Sequence, residues 1–249
     1  MRVAFVGKGG SGKSTIAGTI ARLLARDGAR VLALDIDTLP GLAFSLGMGK
    51  IGDGGLPEGL AEKREGKGWV MREEISAEAL VDEHALDAPD GVRFLQLGKL
   101  PGRVRPGSTT AFRHVVDSFR RPGWSLVGDL AAGPRQGSFG WAGFATAVVL
   151  ITEPTAAGLL AVGRLRRALP ARAGTVLGLV LNKVREARPP ALEAAGLPVW
   201  AEVPYDEAVA AAEREGRAPL DVAPDGPGVM AMRELLSALR DADPGTIPA

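Results

Sequence analysis

The chain has no cysteine. That one absence excludes disulfides, cysteine-held iron–sulfur clusters, thiolate zinc sites and cysteine nucleophiles. Histidine is limited to His84 and His114, far apart in sequence, and each is expected on a solvated helix or loop face rather than as a metal ligand. Lysine is scarce, seven residues against 23 arginines, so the position of each lysine is informative. Net charge is +1, which leaves no overall field to draw nucleic acid or membrane. No window reaches the roughly 18 consecutive apolar residues of a membrane span. The opening MRVAFVG lacks the charged segment, long apolar run and cleavage site of an export signal. A soluble, cytoplasmic protein is the resulting expectation.

What is present points to a layered α/β fold. The 249 residues, 46% hydrophobic, suffice for a sizeable core. Short apolar runs alternate with segments of helical period along the whole chain. Strands are predicted at Val3–Val6, Val31–Ile36, Val92–Leu97, Ser125–Leu130, Thr146–Thr152, Val176–Leu181 and Pro198–Val203. Between them, Ile16, Ile20, Leu23 and Leu24 form one helical stripe and Phe112, Val115, Val116 and Phe119 another, with Gly28 closing the first helix. The pattern predicts a mostly parallel sheet of about seven to eight strands with helices on both faces, in a single domain over 1–249. Residues 47–68, with eight glycines in 22 positions, scattered charge and no apolar period, are expected to bury little and to form a flexible loop that is either a surface insertion or a segment ordered by nucleotide or partner.

Residues 7–15 read GKGGSGKST, a match to the phosphate-binding loop G-x-x-x-x-G-K-[ST], set between a predicted strand and a predicted helix. The backbone of Gly9, Gly10, Ser11 and Gly12 and the positive end of the following helix can cradle phosphates. Lys13 can reach the β- and γ-phosphates, the Ser14 hydroxyl can ligate Mg²⁺, and Thr15 completes the motif. The loop needs one lysine and has two. Lys8 sits on the rim of the turn, away from the target of Lys13.

The arrangement KGGSGKS resembles the deviant Walker A motif, KGGxGK[ST], of the MinD, ParA and CooC group of P-loop ATPases. The resemblance extends from the first strand to about residue 220, weakest over residues 50–90. It implies the P-loop NTPase fold, Mg²⁺-dependent ATP hydrolysis and an ATP-dependent homodimer in which Lys8 reaches the partner subunit's phosphates. In LALDIDTLPG it implies that Asp37 positions the attacking water. Asp35, two residues before it on an extended chain, is read as facing the same Mg²⁺–water site. In WSLVGDLAAG the resemblance implies that Asp129 holds a Mg²⁺ water and that Gly133 senses the γ-phosphate, while Arg135 has no assigned role. Asn182 and Lys183 end TVLGLVLNKV. Guanine-specific relatives carry an aspartate at the place of Arg185, which cannot accept a hydrogen bond, so adenine is expected, with Asn182 as base contact and the backbone near Pro204 lining the base pocket.

The biological role is less legible. LQLGKL followed by DLAAG is most like CooC-like maturation factors of carbon monoxide dehydrogenase. Their Cys-x-Cys is replaced here by PGRVRPGST, without a metal ligand. A nitrogenase-reductase role fails for want of cysteine. The C-terminal stripe Met232, Leu235, Leu236 and Leu239 is expected to pack on the sheet rather than on a membrane, since its polar face is mixed. Arg164, Arg166, Arg167 and Arg172 are expected to be a solvated face rather than a DNA-binding patch. Two functions stand: an ATP-driven maturation or chaperone-like factor for a client metalloenzyme, or a nucleotide-gated positioning module of the ParA and MinD type.

Overall fold

A computed structural model describes residues 1–37, 41–52, 54–98, 105–130, 138–168, 175–185 and 196–242. In chain order the elements are β1 (Arg2–Gly7), α1 (Lys13–Arg26), β2 (Arg30–Ile36), the short α2 (Leu42–Ser45), β3 (Ala61–Arg64), β4 (Gly68–Met71), α3 (Ala77–His84), β5 (Leu86–Asp87), β6 (Arg93–Gln96), α4 (Pro106–Ser118) and β7 (Trp124–Leu130). There follow α5 (Ser138–Trp141), β8 (Ala147–Thr152), α6 (Ala156–Ala168), β9 (Val176–Val184), β10 (Val199–Pro204), α7 (Glu207–Glu215), α8 (Pro219–Val222) and α9 (Pro227–Ala242).

Eight strands form one sheet in the order β10-β9-β8-β1-β7-β2-β6-β5, all parallel except the edge strand β5, which runs antiparallel to β6. The strand sequences are apolar on both faces because both faces are covered. Val3, Phe5, Val31, Ala33, Val149 and Ile151 face the layer built from α1 and α9. Their alternates Ala4, Val6, Leu32, Leu34, Val148 and Leu150 face the layer of α3, α4 and α6. The α9 stripe Met232, Leu235, Leu236 and Leu239 is wholly consumed by the first layer. Gly28 lies just past α1 in the left-handed region (φ +88°), its N–H bonded to the Ala25 carbonyl, as a glycine closing a helix does.

The described residues of segment 47–68 bury little, as expected, but are anchored at particular points. Its Leu56 is 1% exposed, and Gln96 donates from Nε2 to the carbonyls of Gly52 and Gly54. Glu58 accepts from the Gly107 and Ser108 N–H groups at the start of α4, each at 3.0 Å, and β3 and β4 pair as an antiparallel hairpin. The stretch lacks an apolar period because much of its anchoring is made by backbone, glycine and one carboxylate, with a few isolated apolar side chains such as Leu56 and Leu60 reaching the core. Gly55, for instance, leaves no room for a Cβ, which would lie 2.1 Å from the Leu97 carbonyl oxygen.

The central strand β1 lies between β7 and β8, and β2 lies next to β7. The carboxyl ends of β1, β2 and β7 are therefore neighbours. In an open parallel sheet, the crevice at such ends is where ligands bind.

Candidate functional site

The loop leaving β1 is shaped by two left-handed glycines, Gly10 (φ +80°) and Gly12 (φ +87°), conformations costly for any residue with a Cβ. Ser11 N–H closes the turn on the Lys8 carbonyl at 3.1 Å. Gly12 is the N-cap of α1. It offers no side chain to the helix, and the first turn carries no acid, so the N–H groups there are left for an incoming anion. The loop is braced from below by Asn182, whose Nδ2 donates to the Ser11 carbonyl at 2.7 Å, and from the side by Lys183, whose Nζ donates to the Gly10 carbonyl at 3.0 Å. Lys183 is itself left-handed (φ +58°) and lies 3.7 Å from Glu153.

Lys13 is 6% exposed, whereas Lys8 is exposed on the rim and its side chain makes no hydrogen bond or ion pair among the described residues. The two lysines thus have different surroundings, as their spacing suggested.

At the inner end, Ser14 Oγ donates to Asp129 Oδ2 at 2.5 Å. Asp129 is fully buried and its Oδ1 has no hydrogen-bond partner among the described residues. Burial pushes its carboxyl up to about 6; Lys13 and the Ser14 hydroxyl pull it down, and the charge of Asp37 adds to the rise. An orphaned carboxylate oxygen beside a hydroxyl is a set of hard donors that fits Mg²⁺. Among the described residues no group of three or more His, Cys, Asp or Glu could hold an ion, so an ion here would complete its shell with water or oxygens of a bound ligand.

Asp35 pairs in register with Asp129 on the adjacent strand and is also fully buried. Expected to face the same ion–water site as Asp37, it is engaged on both oxygens by backbone. One oxygen accepts from the Asp37 N–H and the other from the Leu42 N–H, both at 3.1 Å, so it ties the end of β2 to the start of α2. Burial, then the nearby Asp129, pushes it up to about 8. Asp37 is half-buried at the mouth, and Gly41 closes over the site, where a Cβ would lie 3.2 Å from Ser14 Oγ.

On the outer side, Asn182, Lys183, Val203, Pro204, Tyr205, Asp206 and Glu213 surround a small pocket of about 20 Å³. Asn182, expected to contact a base, lines this pocket and gives its amide nitrogen to the phosphate loop. Arg185 stacks over the Tyr205 ring at 3.4 Å. Thr15 donates from its hydroxyl to Glu213, a residue the sequence reading missed.

Other candidates lie elsewhere. His114 Nε2 donates to the Ile75 carbonyl at 2.9 Å, and His84 is half-buried beside Glu83 at 3.7 Å. Arg164, Arg166 and Arg167 are exposed on α6. Gly133, Arg135, Arg172 and residues 101–104 of PGRVRPGST lie outside the described residues. Among the described residues no helix is long and apolar enough to cross a membrane.

Comparison with known proteins agrees with this geometry. The family model for the CobQ/CobB/MinD/ParA nucleotide binding domain matches residues 3–220. An uncharacterised ATP-binding protein of Methanocaldococcus jannaschii is 28% identical over 234 residues, 87% of this chain and 90% of that protein. The carbon monoxide dehydrogenase accessory protein CooC of Rhodospirillum rubrum is 50% identical over a shorter stretch of 48 residues, 19% of this chain and 18% of CooC. The septum site-determining protein MinD of Pyrococcus horikoshii, solved in complex with Mg-ADP, has a TM-score of 0.71 at 21% identity, covering 96% of this chain and 95% of that one, a likeness of fold. With a phosphate loop of its own and a match spanning most of its length, the chain belongs to the CobQ/CobB/MinD/ParA family of nucleotide-binding domains.

Proposed function

We propose that this protein is a Mg²⁺-dependent ATPase that dimerises around ATP and uses the nucleotide state of its loops to engage a client. The observation that carries the reading is the Ser14–Asp129 pair at 2.5 Å, with an unpartnered Asp129 oxygen, at the foot of a phosphate loop. Mg²⁺ bound there would supply charge neutralisation for a nucleotide's phosphates. Ser14 and Asp129 would hold it, and Lys13 and the α1 N-terminus would receive the phosphates. Asp37 orients the attacking water, its backbone fixed by Asp35. Lys8, exposed and unpaired among the described residues, supplies the second cation from the partner subunit, where charge spreads over the phosphoryl oxygens.

For the client, the stretch shared with CooC favours maturation of a metalloenzyme, without a metal carried on cysteine. Positioning on a scaffold is the second reading, favoured by the MinD-like fold. Anchoring through α9 loses support because its apolar stripe is already packed.

Lys8→Ala should bind ATP in one subunit and fail to dimerise with ATP; light scattering that shows equal dimer in variant and parent removes the trans role. Asp37→Ala should bind, dimerise and stall, so that co-purification from the host, with Lys13→Ala as unloaded control, names the client. A metalloenzyme subunit supports maturation; DNA or a DNA-binding adaptor overturns it in favour of positioning.

A further inference from the structure

At the end of the sheet opposite the nucleotide crevice, the amino ends of β1, β7 and β2 gather hydrogen-bond donors with few acceptors. Arg2 opens β1, Trp124 opens β7 and Arg30 opens β2 beside it, and alternation along the strands puts all three on the face covered by α3 and α4. Phe119, fully buried, ends α4 against that face. Its carbonyl accepts from two guanidiniums at once, Arg2 Nη2 at 2.6 Å and Arg120 Nη1 at 2.8 Å. One cation at the negative end of a helix is ordinary, but a second on the same oxygen adds repulsion. Burial, then the charge of Arg120, lowers the Arg2 guanidinium from its ordinary value, with Glu78 opposing.

The local acids do not absorb this charge. Asp82 is taken by Arg121 through both oxygens, at 2.7 and 2.6 Å. Glu78 accepts the Arg120 backbone N–H at 2.7 Å, and neither Arg2 nor Arg120 makes an ion pair among the described residues. Each guanidinium spends a single N–H of its fork on Phe119. The Trp124 indole N–H is buried without an acceptor among the described residues, its ring 5.9 Å from that of Phe119. A tetrahedral oxyanion accepts from several donors at once, offsets the repulsion between them and matches the guanidinium fork. We propose that this corner is a second anion site, in which a phosphate group bridges the Arg2 and Arg120 guanidiniums. It lies at the other end of the strands from Lys13, and its phosphate is either a free anion or one carried on a polynucleotide backbone.

The test is thermal unfolding of the parent, Arg120→Gln, Arg120→Lys and Arg64→Gln in potassium phosphate against potassium chloride of equal ionic strength. Arg120 is exposed, so its variants keep the fold, and Arg64, exposed on the β3–β4 hairpin, controls for the loss of one charge. Phosphate taken by the loop between β1 and α1 stabilises all four proteins alike and cancels in the comparison. At about five times its dissociation constant, phosphate on the proposed site adds roughly 2–4 °C to the parent. Arg120→Gln should lose that increment, Arg120→Lys should keep part of it, and Arg64→Gln should keep all of it. An increment unchanged in Arg120→Gln overturns the proposal and leaves two arginines that only cap α4. An equal reduction in Arg120→Gln and Arg64→Gln overturns it as a general response to charge, and so does a parent that gains no more from phosphate than from chloride. Anisotropy of a labelled DNA duplex then separates the two sources. Binding by the parent that Arg120→Gln loses assigns polynucleotide phosphate, and equal or no binding assigns the free anion.

Discussion

Gly12→Ala should cost far more stability than Gly9→Ala, three residues away in the same loop. At Gly12 the backbone is left-handed (φ +87°), which costs a residue with a Cβ about 1–2 kcal/mol. The new Cβ would also lie 2.2 Å from Asn182 Nδ2, so the Asn182 amide must leave the Ser11 carbonyl. Asn182 is 6% exposed, and separating a buried donor from its acceptor costs about 1–3 kcal/mol. Together these give about 2–5 kcal/mol, within the ~5–15 kcal/mol by which domains are stable, so the variant should still fold. For a chain of this size the melting temperature should fall by roughly 5–15 °C. Gly9 is exposed, and a Cβ added there would meet no atom within 4 Å, so Gly9→Ala should stay within about 0.5 kcal/mol of the parent. The assay is thermal unfolding without nucleotide, repeated on Gly12→Ala/Asn182→Ala. That pair should cost less than the sum of its single changes, because both remove the same bond. Equal losses for Gly9→Ala and Gly12→Ala, or a strictly additive double variant, refute the reasoning.

Asp129→Asn should separate stability from function. The carboxyl is raised by burial from its ordinary 3.8 to about 6, so the fold disfavours its ion: the penalty is absent below the unfolded value and full above about 6. The Asn variant should therefore melt above the parent at neutral pH, lose that advantage as pH falls from about 6 to about 4, and lose Mg²⁺-dependent nucleotide binding; melting curves at both ends of the range check it. Asp206 accepts from Ala208 and Val209 at the start of α7 and, through its other oxygen, from the Gly228 N–H near the start of α9 at 3.0 Å. Asp206→Ala should cost about 2 kcal/mol, an N-cap plus a second backbone bond, measurable by urea unfolding.

The sheet was legible because its strands carry apolar residues on both alternating faces, and the sequence-read strand ends fall within a residue or two of those observed, apart from a longer β9. The edge strand β5, two residues long, has no period to detect. The phosphate loop was legible because its chemistry is local, from Gly9 to Thr15. What escaped was tertiary. Side chains two apart on a strand share a face, which placed Asp35 beside Asp37; its spacing could not reveal that its oxygens also accept from the Asp37 and Leu42 N–H groups. The hold of Gln96 on Gly52 and the capping of α4 by Glu58 join residues some 40 to 50 positions apart, which composition does not encode.

The central claim, that the loop and its carboxylates form a hydrolytic site, is tested most directly by phosphate release from Mg-ATP by the parent and by Asp37→Ala, measured beside calorimetric binding of the same nucleotide. The account predicts that both proteins bind ATP alike and that only the parent releases phosphate. Hydrolysis by Asp37→Ala at the parent rate, or tight binding by a parent that releases none, would contradict it.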